Sequence, residues 1–454
     1  MSIENLEKYL VGGAVRDLLL GIEPKDKDYV VVNSNEEEMI NLGFTKVGAD
    51  FPIFLHSETG EEYALARTER KSSTLKSNNP YHNFDIETEN VSLEDDLMRR
   101  DLTINSMAMD KDGNVIDYFG GVNDLKNKFL KHTSIAFMED PIRILRVARF
   151  AARYYDNGFQ VHDSTMNLMI QMINDGMLEN LTKERVMTEF RKGLMENNAD
   201  VMIDILYRTG ALRVLLPEVH NLFGVPQNPT HHPEIDTGIH TMMVLNQACK
   251  LNLTFDERYA CLLHDLGKGI TPKEDLPSHP MHDIKGIPLV ENVNERFKAS
   301  KSESKTAVLV CKAHQLIHTS KKLNPKTILR LFDECGAYSN DKYLISLLNC
   351  AKADSMGRKG FQNVPYPQYE YMLDIFNFVK EIDVKDVANR TVEKAKMKNN
   401  ANTDLGKNIK ENIFNYRLKI LKNFLDTMKV DNVNLEEKSI DLKTETNKNN
   451  GLKM

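Results

Sequence analysis

The stretch Tyr9-Leu10-Val11-Gly12-Gly13-Ala14-Val15-Arg16-Asp17, followed by Lys25-Asp26-Lys27-Asp28-Tyr29-Val30-Val31-Val32, decides the fold of the amino-terminal part. Apolar residues lead up to Gly12 and a helix-forming run leaves Gly13. This pattern predicts a strand, a tight glycine turn and a helix whose first amides point outward. Glycine permits close backbone approach, and unpaired amides together with the helix dipole favour an anion, so the turn suits a triphosphate. Asp26 and Asp28 are two residues apart and face one side of a strand, where both carboxylates can hold Mg2+ between a nucleotide and an attacking hydroxyl. Taken singly, a Gly-Gly pair is often a plain turn and an Asp-x-Asp a solvated charge pair. In this order they read as a phosphate cradle followed by a cation-holding pair.

A chain of 454 residues can bury several cores, about two to four domains by ordinary domain size. No stretch approaches the roughly 18 consecutive apolar residues of a membrane span, and residues 1–9 lack a basic then apolar leader, so a soluble, cytoplasmic protein is expected. The five cysteines are odd in number and without Cys-x-x-Cys spacing, which argues against a disulfide framework or a thiolate zinc site and for reduced, buried thiols. A net charge of −7 gives no global attraction to nucleic acid. Any polyanion site must therefore be a local basic patch beside metal ions.

Residues 9 to about 130 mix short β-rich runs (Tyr29–Val32, Phe51–Leu55, Tyr63–Ala66, Val115–Tyr118) with glycine turns, which reads as an α/β head. Helical periodicity then takes over in Pro141–Tyr155, Asp163–Asn174, Thr182–Glu196 and Asp200–Thr209. Phe223-Gly224-Val225-Pro226-Gln227-Asn228-Pro229 breaks the pattern and marks a boundary. The divisions expected are residues 1–138, 139–224, 225–385 and a charged helical remainder, 386–454, whose end from Asp431 is polar enough to predict disorder.

Two further clusters line up with the cradle. In Glu94–Ala108 the arginines Arg99 and Arg100 are suited to bidentate phosphate contacts, while Asp101 and Asn105 lie one helical turn apart, able to orient a ribose or the arginines. Glu139-Asp140-Pro141-Ile142-Arg143 opens a helix that continues with Arg146, Arg149 and Arg153, spaced three, three and four apart on one stripe. Glu139 and Asp140 can serve simply as helix caps and the stripe as a solvated face. Alternatively, an aspartate acceptor beside an arginine donor can bond the Watson-Crick edge of a base while the other arginines take phosphates.

Eight of the thirteen histidines fall between His231 and His318. His264-Asp265-Leu266-Gly267-Lys268 follows the apolar run Tyr259–Leu263, which predicts a buried helix ending at Gly267. A histidine and the neighbouring carboxylate can share a divalent metal. His240 before the pair, His279, His282 and His314 after it, and Asp354 beyond supply further donors.

With these residues in hand, the chain resembles the class II tRNA nucleotidyltransferases, the bacterial CCA-adding enzymes, and most closely the multifunctional type that carries an HD phosphohydrolase domain. The resemblance runs over residues 9 to about 380 and rests on the glycine turn, Asp26-Lys27-Asp28, Arg99-Arg100-Asp101 with Asn105, the Asp117–Asp124 turn, Glu139-Asp140 with Arg143, Glu184-Arg185 with Glu189, and His264-Asp265. It implies an α+β fold: a nucleotidyltransferase head, an all-helical body and a helical HD domain. It implies addition of C and A to the 3′ end of tRNA from CTP and ATP, without a nucleic-acid template. Gly12, Gly13, Arg16, Arg99, Arg100, Asp101 and Asn105 would serve the nucleotide, Asp26 and Asp28 would hold Mg2+, with Glu62 a further candidate, and Asp140 and Arg143 would read the base beside Arg146 and Arg149. In the HD domain, catalytic His264 and Asp265 with His240, His314 and Asp354 would hold Ni2+, Mn2+, Co2+ or Mg2+ for phosphatase, 2′-nucleotidase and 2′,3′-cyclic phosphodiesterase activity. The body and tail helices would grip the acceptor and T arms of tRNA, in a monomer or homodimer. A poly(A) polymerase or A-adding specialist with the same head, and a non-catalytic RNA-binding protein, are the competing readings.

Overall fold

The computed structural model describes residues 6–47, 53–71, 84–88, 90–397 and 405–450. The head is built on strands β1 (Lys8–Val11), β2 (Asp28–Val31), β3 (Thr45–Val47), β4 (Ile53–Leu55), β5 (Glu62–Leu65), β6 (Thr68–Lys71), β7 (Phe84–Glu87), β8 (Ala108–Met109) and β9 (Val115–Ile116). Seven of them form one mixed sheet in the order β3-β4-β5-β2-β1-β8-β9, and β6 pairs with β7 as a separate ribbon. Between them, residues 72–83 lie outside the described residues, as does residue 89. The parallel pairing of β2 with β5 sets Asp28 opposite Glu62. Alternation along β2 buries Val30 on one face with Val11 and Leu97, and Val31 on the other with Phe54 and Tyr63.

Helices follow where the periodicity placed them, at Ile142–Tyr154, Asp163–Asn174, Lys183–Leu194 and Ala199–Thr209. The HD segment contributes Thr237–Lys250, Phe255–Leu263, His282–Arg296, Lys301–His318 and Lys342–Met356. Capping fixes their starts: Thr254 Oγ1 and its backbone N–H both donate to Glu257 at 2.8 Å, and Ser300 with Glu303 forms the same reciprocal box. The regular helix ends at Leu263, four residues before the expected Gly267, which lies instead in a 3-10 turn, Leu266–Ile270. The reason is packing. A Cβ on Gly267 would stand 1.9 Å from the carbonyl oxygen of His282 and 2.8 Å from the amide of Gly286.

One apolar core runs from Leu10 through the body to Leu425, so the expected divisions are not gaps in packing. Phe190 of the body stacks on Phe297 of the HD segment at 5.9 Å. Arg258, 4% exposed, donates to the carbonyl oxygens of Leu194 at 2.9 Å and Glu196 at 2.8 Å. The last helix, Leu405–Asn450, passes through most of the segment expected to be disordered; Lys407–Asn450 contains no proline or glycine to interrupt it. Its first part packs on the HD segment through Arg417 over the Tyr338 ring at 3.7 Å and Phe424 stacked on Phe378 at 3.8 Å. All five cysteines are free and buried, as expected. Among the described residues no helix is long and apolar enough to cross a membrane.

Because the atoms above Gly267 are backbone, Gly267→Ala is expected to push the helix His282–Arg296 away and to destabilise the protein by about 1–3 kcal/mol, readable in urea denaturation. An unchanged midpoint would show that this contact is not as close as described.

Candidate active sites

Gly12 ends β1 with φ +69°, a conformation that favours glycine, and a Cβ there would stand 2.9 Å from Arg100 Nη1. The following helix, Gly13–Leu19, is short and carries Arg16 inward, where its Nη1 donates to Asn105 Oδ1 at 2.5 Å. Asn105 Nδ2 in turn donates to Asp101 Oδ1 at 2.9 Å, closed by a 3-10 turn over Thr103–Asn105 in place of the expected α-helix. Asp101 Oδ2 accepts from Arg146 at 2.8 Å. Burial alone would raise the Asp101 carboxyl, but the Arg146 guanidinium and the Asn105 amide bring it down to about 2.

Arg99 and Arg100 both rest on Asp96, fully buried at the end of helix Leu93–Met98, at 2.6 Å and 3.0 Å. On the facing helix Arg146, Arg149 and Arg153 of the stripe that begins at Arg143 are held by carboxylates: Arg149 Nε donates to Glu189 Oε2 at 2.7 Å and Arg153 Nε to Glu196 Oε1 at 3.0 Å. Arg185 donates to Asp140 Oδ2 at 2.6 Å, and Arg143 to the Ala136 carbonyl at 2.8 Å. Asp140 also caps, accepting from the Ile142 amide at 3.3 Å. The Asp117–Asp124 turn plays a structural part, with Asp117 accepting from the amides of Gly121 and Val122 and Asp124 from Thr103 Oγ1.

These groups surround a cavity of about 570 Å³ lined by nine arginines and Lys192 against Asp28, Asp101, Asp140 and Glu189. Gly12, Gly13, Arg16, Asp28, Arg99, Arg100, Asp101, Asn105, Asp140, Arg143, Arg146 and Arg149 all line it; Asp26 and Glu62 do not. Burial, with Asp26 nearby, pushes the Asp28 carboxyl up against the opposing pull of Arg100. A carboxylate in that setting gains from a hard cation, and its oxygen chemistry suits Mg2+. Arg67 also lines the cavity; it follows a strand with no motif around it, so the sequence offered no signal.

The HD segment gathers His240, His264, Asp265, His314 and Asp354, each no more than 6% exposed. Helix Phe255–Leu263 ends so that His264 and Asp265 emerge at its tip, with His264 Nδ1 bonded to the Cys261 carbonyl at 2.7 Å. His264 Nε2 lies 3.2 Å from Asp265 Oδ2, and His240 Nε2 lies 3.0 Å from Asp354 Oδ1. Burial would lower His264, but the Asp265 charge raises it to about 9; burial lowers His314 to about 3. Asp265 and Asp354 are held well below the ordinary carboxylate range in spite of burial, chiefly by His264 and His318 respectively. Among the described residues, the sets of three or more donors close enough to share one ion all belong to this segment. The buried His264 Nε2 and Asp265 Oδ1 have no hydrogen-bond partner, which fits donors arranged for a divalent cation.

His279 is turned away from the ion-binding sets, bonded to Thr271 Oγ1 at 2.8 Å and to the Pro226 carbonyl at 3.1 Å. Three residues of the site went unassigned in the sequence. His318 bonds Asp354 Oδ2 at 2.7 Å and Tyr366 at 2.8 Å, and Glu234 lies 3.0 Å from both His232 Nδ1 and His240 Nδ1. The four-residue spacing of His318 from His314 on one helix was a usable signal, and so was the position of Glu234 between His232 and His240; Tyr366 carried none.

Comparison with known proteins finds a family match in each of three segments. Residues 8–131 match the Poly A polymerase head domain, residues 158–223 the probable RNA and SrmB-binding site of polymerase A, and residues 237–338 the HD domain. A crystal structure of Bacillus stearothermophilus CCA-adding enzyme in complex with CTP shares the fold at TM-score 0.63 and 19% identity, over 95% of each chain. Thermotoga maritima CCA-adding enzyme complexed with tRNA-CCA does so at TM-score 0.57 and 20% identity, over 94% of this chain and 92% of that one. The Multifunctional CCA protein of Acinetobacter baumannii strain ATCC 17978 is 50% identical over 383 residues, 84% of this chain and 92% of that protein. That of Neisseria meningitidis serogroup A is 49% identical over 384 residues, 84% of this chain and 90% of that protein. With half of its residues shared over most of both lengths, the chain belongs to the multifunctional CCA protein family, a CCA-adding nucleotidyltransferase with an HD domain.

Proposed function

We propose that the head adds C, C and A in turn to the 3′ end of tRNA from CTP and ATP, releasing pyrophosphate, and that the HD domain hydrolyses phosphomonoesters and 2′,3′-cyclic phosphodiesters at RNA ends. The observation that carries the first part is the arginine-lined cavity between the glycine turn and the stripe of helix Ile142–Tyr154, beside Asp28. Gly12 leaves room for the phosphates, and Arg16, Arg99 and Arg100 are set to neutralise them, each already aimed by a carboxylate or amide partner. Asp101 and Asn105 orient Arg16 and Arg146. Asp140 and Arg143 offer an acceptor and a donor to the incoming base, and exchange of their partners is how one site would take first C and then A. Positioning and charge supply most of the catalysis in such a transfer.

Asp26 and Asp28, with Glu62 beside Asp28 across the strand pair, are the residues that would hold Mg2+; His240, His264, Asp265, His314 and Asp354 would hold Ni2+, Mn2+, Co2+ or Mg2+. When bound, divalent cations make the attacking hydroxyl or water more acidic and offset charge on the leaving group. The match of residues 8–131 to a Poly A polymerase head favours one second reading, repeated addition of A.

Incubation with Mg2+, CTP, ATP and a tRNA lacking its terminal CCA is expected to give growth by CCA and arrest, read at single-nucleotide resolution; continued A would establish the second reading. Asp26→Ala should lower addition about a thousandfold, roughly 4 kcal/mol of transition-state stabilisation, in a protein that melts normally. His264→Ala should abolish hydrolysis of a 2′,3′-cyclic nucleotide and spare CCA addition. Equal loss of both would point to misfolding or a shared site.

A further inference from the structure

The body helix Lys183–Leu194 turns one face to the arginine-lined cavity, and that face carries Arg185, Thr188, Glu189 and Lys192 at helical spacing. Glu189 is buried, whereas Thr188 and Lys192 are exposed, so Lys192 stands at the rim of the cavity. The floor is made by other groups. Arg16, Arg143 and Arg149 are each no more than 8% exposed. Arg16, Arg99 and Arg100, set beside Asp28 to meet a triphosphate, all belong to the head.

Of the ten cations that line this cavity, Lys192 is the one that makes no hydrogen bond or ion pair among the described residues. The cause lies in its own helix. Glu189, three residues before it, and Glu196, four residues after it, are the carboxylates within about one turn. Both are already taken by arginines. Glu189 pairs with Arg149 at 2.7 Å and with Arg146 at 3.8 Å, while Glu196 pairs with Arg153 at 2.8 Å and with Arg149 at 3.9 Å. An isolated surface lysine is ordinarily just hydrated. Lys192 differs in sharing a wall with nine guanidinium groups and having no anion of its own to offset the added charge. Its ammonium is a compact point charge that needs only one oxygen from a ligand.

We propose that Lys192 binds a backbone phosphate of the single-stranded 3′ end of tRNA where that strand enters the cavity, and so positions the end that accepts the next nucleotide. This rests on the reading of the head as a CCA-adding site. A nucleoside triphosphate brings its charge to the floor, where Arg16, Arg99 and Arg100 are already aimed. The tRNA strand must cross the rim to deliver its 3′-hydroxyl to that floor, and its own phosphates are then the anions that meet an exposed ammonium there. A lysine on a phosphate carries no base information. That suits a strand whose last residue changes from one addition to the next, because the same contact serves each time.

The test uses the full chain and a tRNA ending in CC, whose dissociation constant is measured from about 50 to 200 mM KCl beside the KM for ATP in addition of A. Lys192→Gln is expected to weaken tRNA binding about tenfold at the lowest salt and to lower the slope of log Kd against log salt by about 0.7, the share of one single-strand phosphate. The KM for ATP should not move. Lys192→Arg should restore both the affinity and the slope, and both variants should melt as the parent does. Unchanged tRNA affinity in Lys192→Gln overturns the proposal and leaves the lysine merely hydrated. Weaker binding with the parent's salt slope overturns it too, since a lost phosphate contact must change the counterions released. A raised KM for ATP with tRNA binding intact overturns it in favour of the triphosphate. A parent that adds no nucleotide to this tRNA overturns the CCA-adding reading itself, and shows it without any Lys192 variant.

Discussion

Everything at the arginine-lined cavity depends on keeping like charges together without letting them scatter. Nine arginines and a lysine crowd one concave surface. What holds most of the arginines is a set of carboxylates: Asp96 with Arg99 and Arg100, Asp101 with Arg146, Glu189 with Arg149 and Glu196 with Arg153. Desolvation works against Asp96 and Asp101, and the adjacent guanidinium groups outweigh it at both. The result is a positive surface whose donors have already paid their ordering entropy, so that the charge they present has fixed directions. A protein of net charge −7 can hold a polyanion there because the balance is local.

The same ladder of ion pairs ties the head to the body. Asp101 comes from the head, Arg146 from the first body helix and Glu189 from the third, with Arg146 also 3.8 Å from Glu189. Glu196, at the far end, anchors Arg153 through its side chain while Arg258 of the HD segment bonds its backbone carbonyl. One short turn after helix Lys183–Leu194 is therefore gripped from both sides.

Much of this was legible in the sequence, for definite reasons. Gly12 and the Asp26/Asp28 pair are local signals, since a turn and a two-residue repeat need only their neighbours. The arginine stripe followed from spacings of three and four on one helix. His264-Asp265 stood out through the apolar run before it and the other histidines around it. What stayed hidden depends on long-range register. Arg67 and Tyr366 reach their sites from elements distant in sequence, and nothing beside them marks the fact. The tail misled in another way: a polar composition suggested disorder, whereas an unbroken run without proline or glycine forms a helix through Asn450. Gly267 was read as a helix stop because glycine commonly is one. Its actual task, admitting the His282 carbonyl, involves a backbone atom that no side-chain pattern reports.

The seam made by Arg258 bears on how such chains can be taken apart and recombined. Its donors close on main-chain oxygens at the end of a body helix, and the apolar core continues beneath without a break. Three family signatures in a row suggest beads on a string, each a portable cassette. Here the middle bead has no outside of its own: severed near Phe223, it would lose the partners of Phe190 and Arg191, and the HD segment would be left with a buried guanidinium facing solvent. Through that seam the body and the HD segment make one continuous piece of architecture.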